Sequence, residues 1–212
     1  MSIKAIIFDF GEVLNATVDP EAEAERRKDL AVALGLEEGE LWPYLFESEA
    51  SVLWMTGQLD WDGFWEAVLE PRGITDPEAI RSFAGEVFEG EDEIHPEMIQ
   101  LLNTLKGNYK LAVLSNASRT EEEMEEMFQH QLGLPSELFD TIVTSTSFGA
   151  TKPDLSIYLE VLHRLEVEPG EAIFADDMDN FTAASAELGI HSHTFKSPAI
   201  FREYLKEKGV IP

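Results

Sequence analysis

At 212 residues and 44% hydrophobic content, the chain is long enough for one sizeable packed domain or a domain with a modest insertion. A formal net charge of −27 argues against nucleic acid, whose phosphates are held by basic surfaces, and against anionic membranes. The lack of cysteine excludes disulfides and thiolate chemistry.

No apolar run approaches the ~20 residues needed to cross a bilayer. Met1-Ser2 leads straight into Ile3-Lys4-Ala5-Ile6-Ile7 without a charged leader, so a cytoplasmic location is the default expectation. So acidic a chain repels anions in general, and a phosphate site here needs positive charge of its own.

In chain order, Lys4 to Phe10 reads as a buried strand ended by a glycine turn. From about Pro20 to Phe88 no strand is predicted. Asp19-Pro20 opens a helix to about Leu34. Asp60 caps a second, with Trp61, Phe64, Trp65 and Val68 on one face. Asp76-Pro77 starts a third, striped by Ile80, Phe83, Val87 and Phe88. Trp42, Trp54, Trp61 and Trp65 are expected to build a small core there.

After Pro96 a helix through Ile99, Leu102 and Leu105 leads to the apolar run Tyr109 to Leu114. Further runs at Thr141 to Thr144, Ala172 to Ala175 and His191 to Phe195 alternate with helical stretches. Alternation of this kind implies βαβ units. The predicted fold is α/β: a doubly wound, Rossmann-like parallel sheet with an α-helical cap inserted after strand one. Its core comprises residues 1–15 and 93–212, and its cap residues 16–92.

Ligands of such sheets gather beyond the carboxyl ends of the strands. Strand one ends in Asp9-Phe10-Gly11-Glu12, the next in Ser115-Asn116, and the strand at Ala172 in Asp176-Asp177. Lys152-Pro153-Asp154 lies in the connection after Thr144. That set suits phosphoryl transfer. Asp9 can attack phosphorus to form an aspartyl phosphate. Magnesium takes oxygen ligands, here Asp9, the Gly11 carbonyl, Asp176, and Asp177 directly or through water. Ser115 and Asn116 would bind the phosphate, and Lys152 would bind it and neutralise the transferring charge.

Separately, each station has a plain structural reading. Ser115-Asn116 is a common turn pair, Lys152 alone would be a surface lysine, and Asp176-Asp177 could cap a helix. The acidic run Glu121 to Glu126 reads as a solvated helix start, and His191 and His193 share a strand face without a third ligand nearby.

Together and in this order, the four stations resemble the haloacid dehalogenase superfamily. Phe8-Asp9-Phe10-Gly11-Glu12-Val13-Leu14 is similar to its first motif and Leu114-Ser115-Asn116 to its second. Lys152-Pro153-Asp154 with Ile157-Tyr158 is similar to the third, and Phe174-Ala175-Asp176-Asp177 to the fourth. Gly57-Gln58-Leu59 and Ser118-Arg119 lean toward the branch of glucose-1-phosphate phosphatases and the phosphatase domain of soluble epoxide hydrolases.

The resemblance implies a Mg2+-dependent phosphatase acting on a small phosphate ester, with a helical cap closing over the site. One position departs from the pattern. Phosphatases of this superfamily usually carry a second Asp, as general acid and base, where this chain has Gly11. Without that proton donor the expected substrate has an acidic leaving group, such as the anomeric hydroxyl of a sugar 1-phosphate, a phenol or an anhydride. Glu12 is a candidate substitute. Two alternatives stand beside this reading. A 2-haloacid dehalogenase would need no metal and lacks the Asp-Asp pair. A non-catalytic binding protein on the same fold is the other.

Overall fold

The computed structural model describes residues 2–16, 20–37, 39–87, 93–135 and 137–212. The chain divides into two compact units, Met1–Ala16 with Asp92–Pro212, and Thr17–Glu91. Among the described residues no helix is long and apolar enough to cross a membrane.

The unit Thr17–Glu91 is helical where described: α1 (Pro20–Ala33), α2 (Leu41–Phe46), α3 (Glu49–Met55), α4 (Trp61–Leu69) and α5 (Pro77–Val87). Asp60 Oδ1 accepts the Gly63 N–H at 2.8 Å and Asp76 Oδ2 the Ala79 N–H at 2.9 Å. Each cap satisfies an orphan donor and contributes about 1 kcal/mol. The proposed cap of α1, Asp19, and the last stripe residue of α5, Phe88, lie outside the described residues.

Trp54, Phe64, Trp65, Val68, Ile80, Phe83 and Val87 are buried together. Trp54 stacks on Phe64 with centroids 4.3 Å apart. Trp61 corrects the expected stripe. It remains 43% exposed and meets Trp54 and Trp65 by edge contacts at 5.8 and 5.6 Å. As the first residue of α4 it sits at the margin of the aromatic cluster and stays partly exposed. Helices α2 and α3, separated by the cap residues Glu47 and Ser48, are too short for helical periodicity to reveal.

The other unit is built on β1 (Ala5–Phe8), the small antiparallel pair β2 (Asn15–Ala16) and β3 (Glu93–Ile94), β4 (Lys110–Ser115), β5 (Thr141–Thr144), β6 (Ala172–Asp176) and β7 (His191–Thr194). Five of these form a parallel sheet in the order β5-β4-β1-β6-β7. Strand β1 is central and wholly buried, which is why it reads as a continuous apolar run. Helices α6 (Pro96–Leu105), α7 (Glu121–His130), α8 (Ser145–Phe148), α9 (Leu155–Leu165), α10 (Asp179–Glu187) and α11 (Pro198–Glu207) follow or connect the strands.

Period-two alternation divides the sheet between two cores. Ile6, Phe8, Leu111, Val113 and Ile173 pack with residues of α6, α7 and α11. Ala5, Ile7, Ala112, Leu114 and Phe174 pack with residues of α9 and α10. The result is a three-layer α/β unit, and its order reverses direction beside β1, where such sheets open a crevice.

Candidate active site

Parallel register places the chemistry on one rim. Phe8 lies opposite Val113 on one side and Ala175 on the other, so the next residue, Asp9, emerges beside Asp176. The Asp9 N–H continues the ladder by donating to the Ala175 carbonyl at 2.9 Å. Ser115 ends β4 opposite Thr144 and is 5% exposed. Beyond Asp9 the chain turns sharply, with the Phe10 carbonyl accepting from the Leu14 and Asn15 N–H groups. Glu12 takes a left-handed backbone there, φ 55°, and its N–H donates to Asn15 Oδ1 at 2.6 Å. Gly11 lies half-buried in the same turn.

Lys152 sits in the loop between α8 and α9 and is 2% exposed. Its ammonium is 2.5 Å from Asp176 Oδ2 and 2.9 Å from Asp9 Oδ1. Two of its three N–H donors are thus committed, leaving one for a bound anion. The rings of Phe181 and Phe174 lie 5.0 and 5.6 Å from the same nitrogen. Neither ring was singled out as a site residue from sequence, because their approach to the lysine is a tertiary contact with no local signature.

Asp9, Asp176 and Asp177 each present a carboxylate oxygen within 4.8 Å of the others. Asp176 is fully buried, and its Oδ1 accepts the Met178 N–H at 2.9 Å. The cap position of α10 is Met178, which makes no side-chain cap, so the aspartate pair is free of the capping role. Burial above all, and then the charge of Asp176, push the Asp9 carboxyl up to about 7 against the opposing pull of Lys152. Burial and Asp176 push Asp177 up to about 6. Burial disfavours the charged form of Lys152, but Asp9 and Asp176 outweigh it and hold the ammonium above its ordinary value. Three carboxylates around one ammonium leave surplus negative charge on oxygen donors, which suits a hard divalent cation.

Asn116, expected among the substrate binders, has its side-chain amide engaged elsewhere. Its Oδ1 accepts the Lys152 N–H at 2.8 Å and its Nδ2 donates to the Lys152 carbonyl at 3.0 Å. His193 packs against Phe201 and Tyr204, and neither His191 nor His193 joins an acidic or histidine cluster among the described residues. Thr120 and Glu123 form a reciprocal capping box at the start of α7, which gives Glu123 of the acidic run a structural role.

The comparisons with known proteins agree with this architecture. The family model of haloacid dehalogenase-like hydrolases matches residues 3–189. The chain is 30% identical over 153 residues to haloacid dehalogenase-like hydrolase domain-containing protein 3 of Bos taurus, covering 68% of this chain and 58% of that protein. It is 34% identical over 119 residues to phosphoglycolate phosphatase of Aquifex aeolicus, covering 56% of this chain and 52% of the relative. The chain therefore spans somewhat over half the length of these curated relatives. In fold it is similar to a HAD family enzyme from Bacteroides thetaiotaomicron solved with magnesium and inorganic phosphate. That likeness has a TM-score of 0.68 at 20% identity, over 92% of this chain and 95% of that one. With the match running through all four strand-end stations, the chain belongs to the haloacid dehalogenase-like hydrolases.

Proposed function

We propose that the protein is a Mg2+-dependent phosphatase of small phosphate esters that works through an aspartyl phosphate on Asp9. The observation that carries this reading is the buried ammonium of Lys152 bonded to both Asp9 and Asp176, beside the third carboxylate of Asp177. The name of one relative, phosphoglycolate phosphatase, and the magnesium and phosphate in the Bacteroides structure are consistent with it.

Asp9, Asp176, Asp177 and the carbonyl of Gly11 would hold the magnesium ion, which supplies Lewis-acid charge stabilisation to the phosphoryl oxygens when bound. A carboxylate oxygen of Asp9 attacks phosphorus as the ester P–O bond breaks. The leaving alcohol takes its proton from solvent. Lys152 offers its third N–H to a phosphoryl oxygen, and the Ser115 hydroxyl donates to another, so charge is met where it develops. Water then attacks the phosphorus of the aspartyl phosphate, releasing inorganic phosphate and restoring the Asp9 carboxylate. Because Gly11 offers no acid, turnover favours leaving groups that depart as stable anions, a sugar 1-phosphate or an aryl phosphate among them.

The test is magnesium-dependent hydrolysis of an aryl phosphate by wild type and Asp9→Asn. Hydrolysis that needs both magnesium and Asp9 is expected. Equal rates in the two proteins would remove the covalent mechanism. Halide release from a 2-haloacid without added metal would favour the dehalogenase alternative instead.

A further inference from the structure

Asn116 stands next to Ser115 on the rim, yet its amide is turned to the backbone of Lys152, 36 residues away. The Lys152 N–H donates to Asn116 Oδ1 at 2.8 Å, and Asn116 Nδ2 donates to the Lys152 carbonyl at 3.0 Å. A primary amide carries one acceptor and one donor side by side, as a peptide group does, so this pair imitates one rung of a sheet ladder. The rung joins a loop to a strand end, and among the described residues no backbone–backbone hydrogen bond links the two.

The strand-end side of the rung is itself held. The Ala117 N–H donates to Ser145 Oγ at 3.0 Å, and the Ala117 carbonyl accepts from Thr146 Oγ1 at 2.7 Å. Ser145 is fully buried. On the other side, the Asp154 N–H donates to the Thr151 carbonyl at 2.9 Å and Asp154 caps α9. Lys152 lies between these anchors, and the Asn116 pair is what ties its own peptide groups to β4. A lysine head group rides on a flexible four-carbon stem, so a fixed backbone narrows the positions that the ammonium can take.

We propose that Asn116 is a positioning residue that acts through Lys152, fixing the lysine backbone so that its ammonium meets Asp9 and Asp176. The catalytic consequence rests on the phosphatase reading above; the clamp itself does not. Removing it deletes none of the groups that touch the phosphate but lets one of them, the Lys152 ammonium, wander from Asp9 and Asp176. Misplacement of a charge by about 1 Å costs up to ~10²-fold in rate.

The experiment uses the full chain as wild type, Asn116→Ala and Asn116→Asp. Hydrogen exchange of the Lys152 amide is followed by NMR in metal-free protein, and steady-state hydrolysis of an aryl phosphate is followed with magnesium. In Asn116→Ala the Lys152 amide is expected to lose protection while the amides of β4 keep theirs. Its kcat falls roughly 10- to 100-fold with KM within about twofold of wild type. Asn116→Asp retains an acceptor for the Lys152 N–H but sets a second oxygen against the Lys152 carbonyl, and is expected to restore amide protection in part and to recover part of the lost kcat.

An unchanged Lys152 amide in Asn116→Ala would overturn the proposal, as would a raised KM with kcat intact, the signature of a direct substrate contact. Should wild type lack Asp9-dependent turnover, the phosphatase reading fails on its own, and amide exchange alone still supports or refutes the clamp. Retained β4 protection in Asn116→Ala separates loss of the clamp from loss of the fold.

Discussion

Lys152 and Asp176 form an ion pair of 2.5 Å in which the lysine side chain is 1% exposed and the aspartate side chain 0%. Neither charge has access to bulk water, so each depends on the other for solvation.

Lys152→Met is expected to lower stability by about 3–5 kcal/mol, because it strands Asp176 and Asp9 without their shared cation. Urea unfolding at neutral pH in metal-free buffer measures this. A loss below about 1 kcal/mol, the scale of an exposed pair, would show that the ammonium is not what balances these carboxylates.

The site also links metal, protons and stability. In metal-free protein Asp9 is raised to about 7 and Asp177 to about 6, both from an ordinary value of 3.8. The folded state then binds more protons than the unfolded state between about pH 4 and pH 7. The contribution of these groups is therefore full at about pH 4 and lost as pH rises through 6 and 7. Magnesium competes with those protons. The rise in Tm on adding magnesium should grow from pH 5 to pH 8, and a shift independent of pH would contradict the assignment of the ligands.

Asp177→Asn separates function from stability at one position. It removes a carboxylate pressed against Asp176. In metal-free protein at pH 8 the variant should melt above wild type, and the magnesium-induced shift should shrink or vanish. Calorimetric scans with and without magnesium decide it; a lower metal-free Tm would count against like-charge crowding at the pair.

Gly11 leaves room for the missing acid. Among the described residues a Cβ placed there meets only Asp9 Oδ2, at 3.9 Å, an ordinary contact. Gly11→Asp should fold, and should raise kcat/KM for an alkyl phosphate relative to an aryl phosphate by roughly 10²-fold, since a proton donor helps the poorer leaving group. An unchanged ratio would mean that leaving-group protonation is not what this turn lacks.

Arg164 tests a part of the fold remote from the catalytic groups. From α9 its Nη1 reaches Glu121 Oε2 at 2.8 Å and the Ile142 carbonyl of edge strand β5 at 3.2 Å. Arg164→Ala should cost about 1 kcal/mol and increase aggregation on mild heating, because an uncovered sheet edge invites pairing. Light scattering during a thermal ramp reads the second effect, and hydrolysis below the transition should be unchanged.

Much of this was legible in the residues. The apolar runs marked β1, β4 and β6, because strands buried on both faces carry little but hydrophobic side chains. The edge strands β5 and β7 are only partly buried, and it was the alternation with helices that placed them. Asp60 and Asp76 announced their helices through local bonds three residues long. Asp9, Ser115, Lys152 and Asp176-Asp177 could be nominated because parallel connectivity brings strand ends to one rim whatever lies between them.

What sequence alone determined was thus everything set by short-range periodicity, capping and chain connectivity. Only the tertiary structure decided that Lys152 is sealed between two carboxylates and two rings, that the Asn116 amide holds a backbone 36 residues distant, and that Trp61 stays partly exposed. Periodicity tells which face of an element is apolar, but not how completely a neighbour covers it. The partner of a side-chain amide is chosen by the packing of loops that share no local pattern.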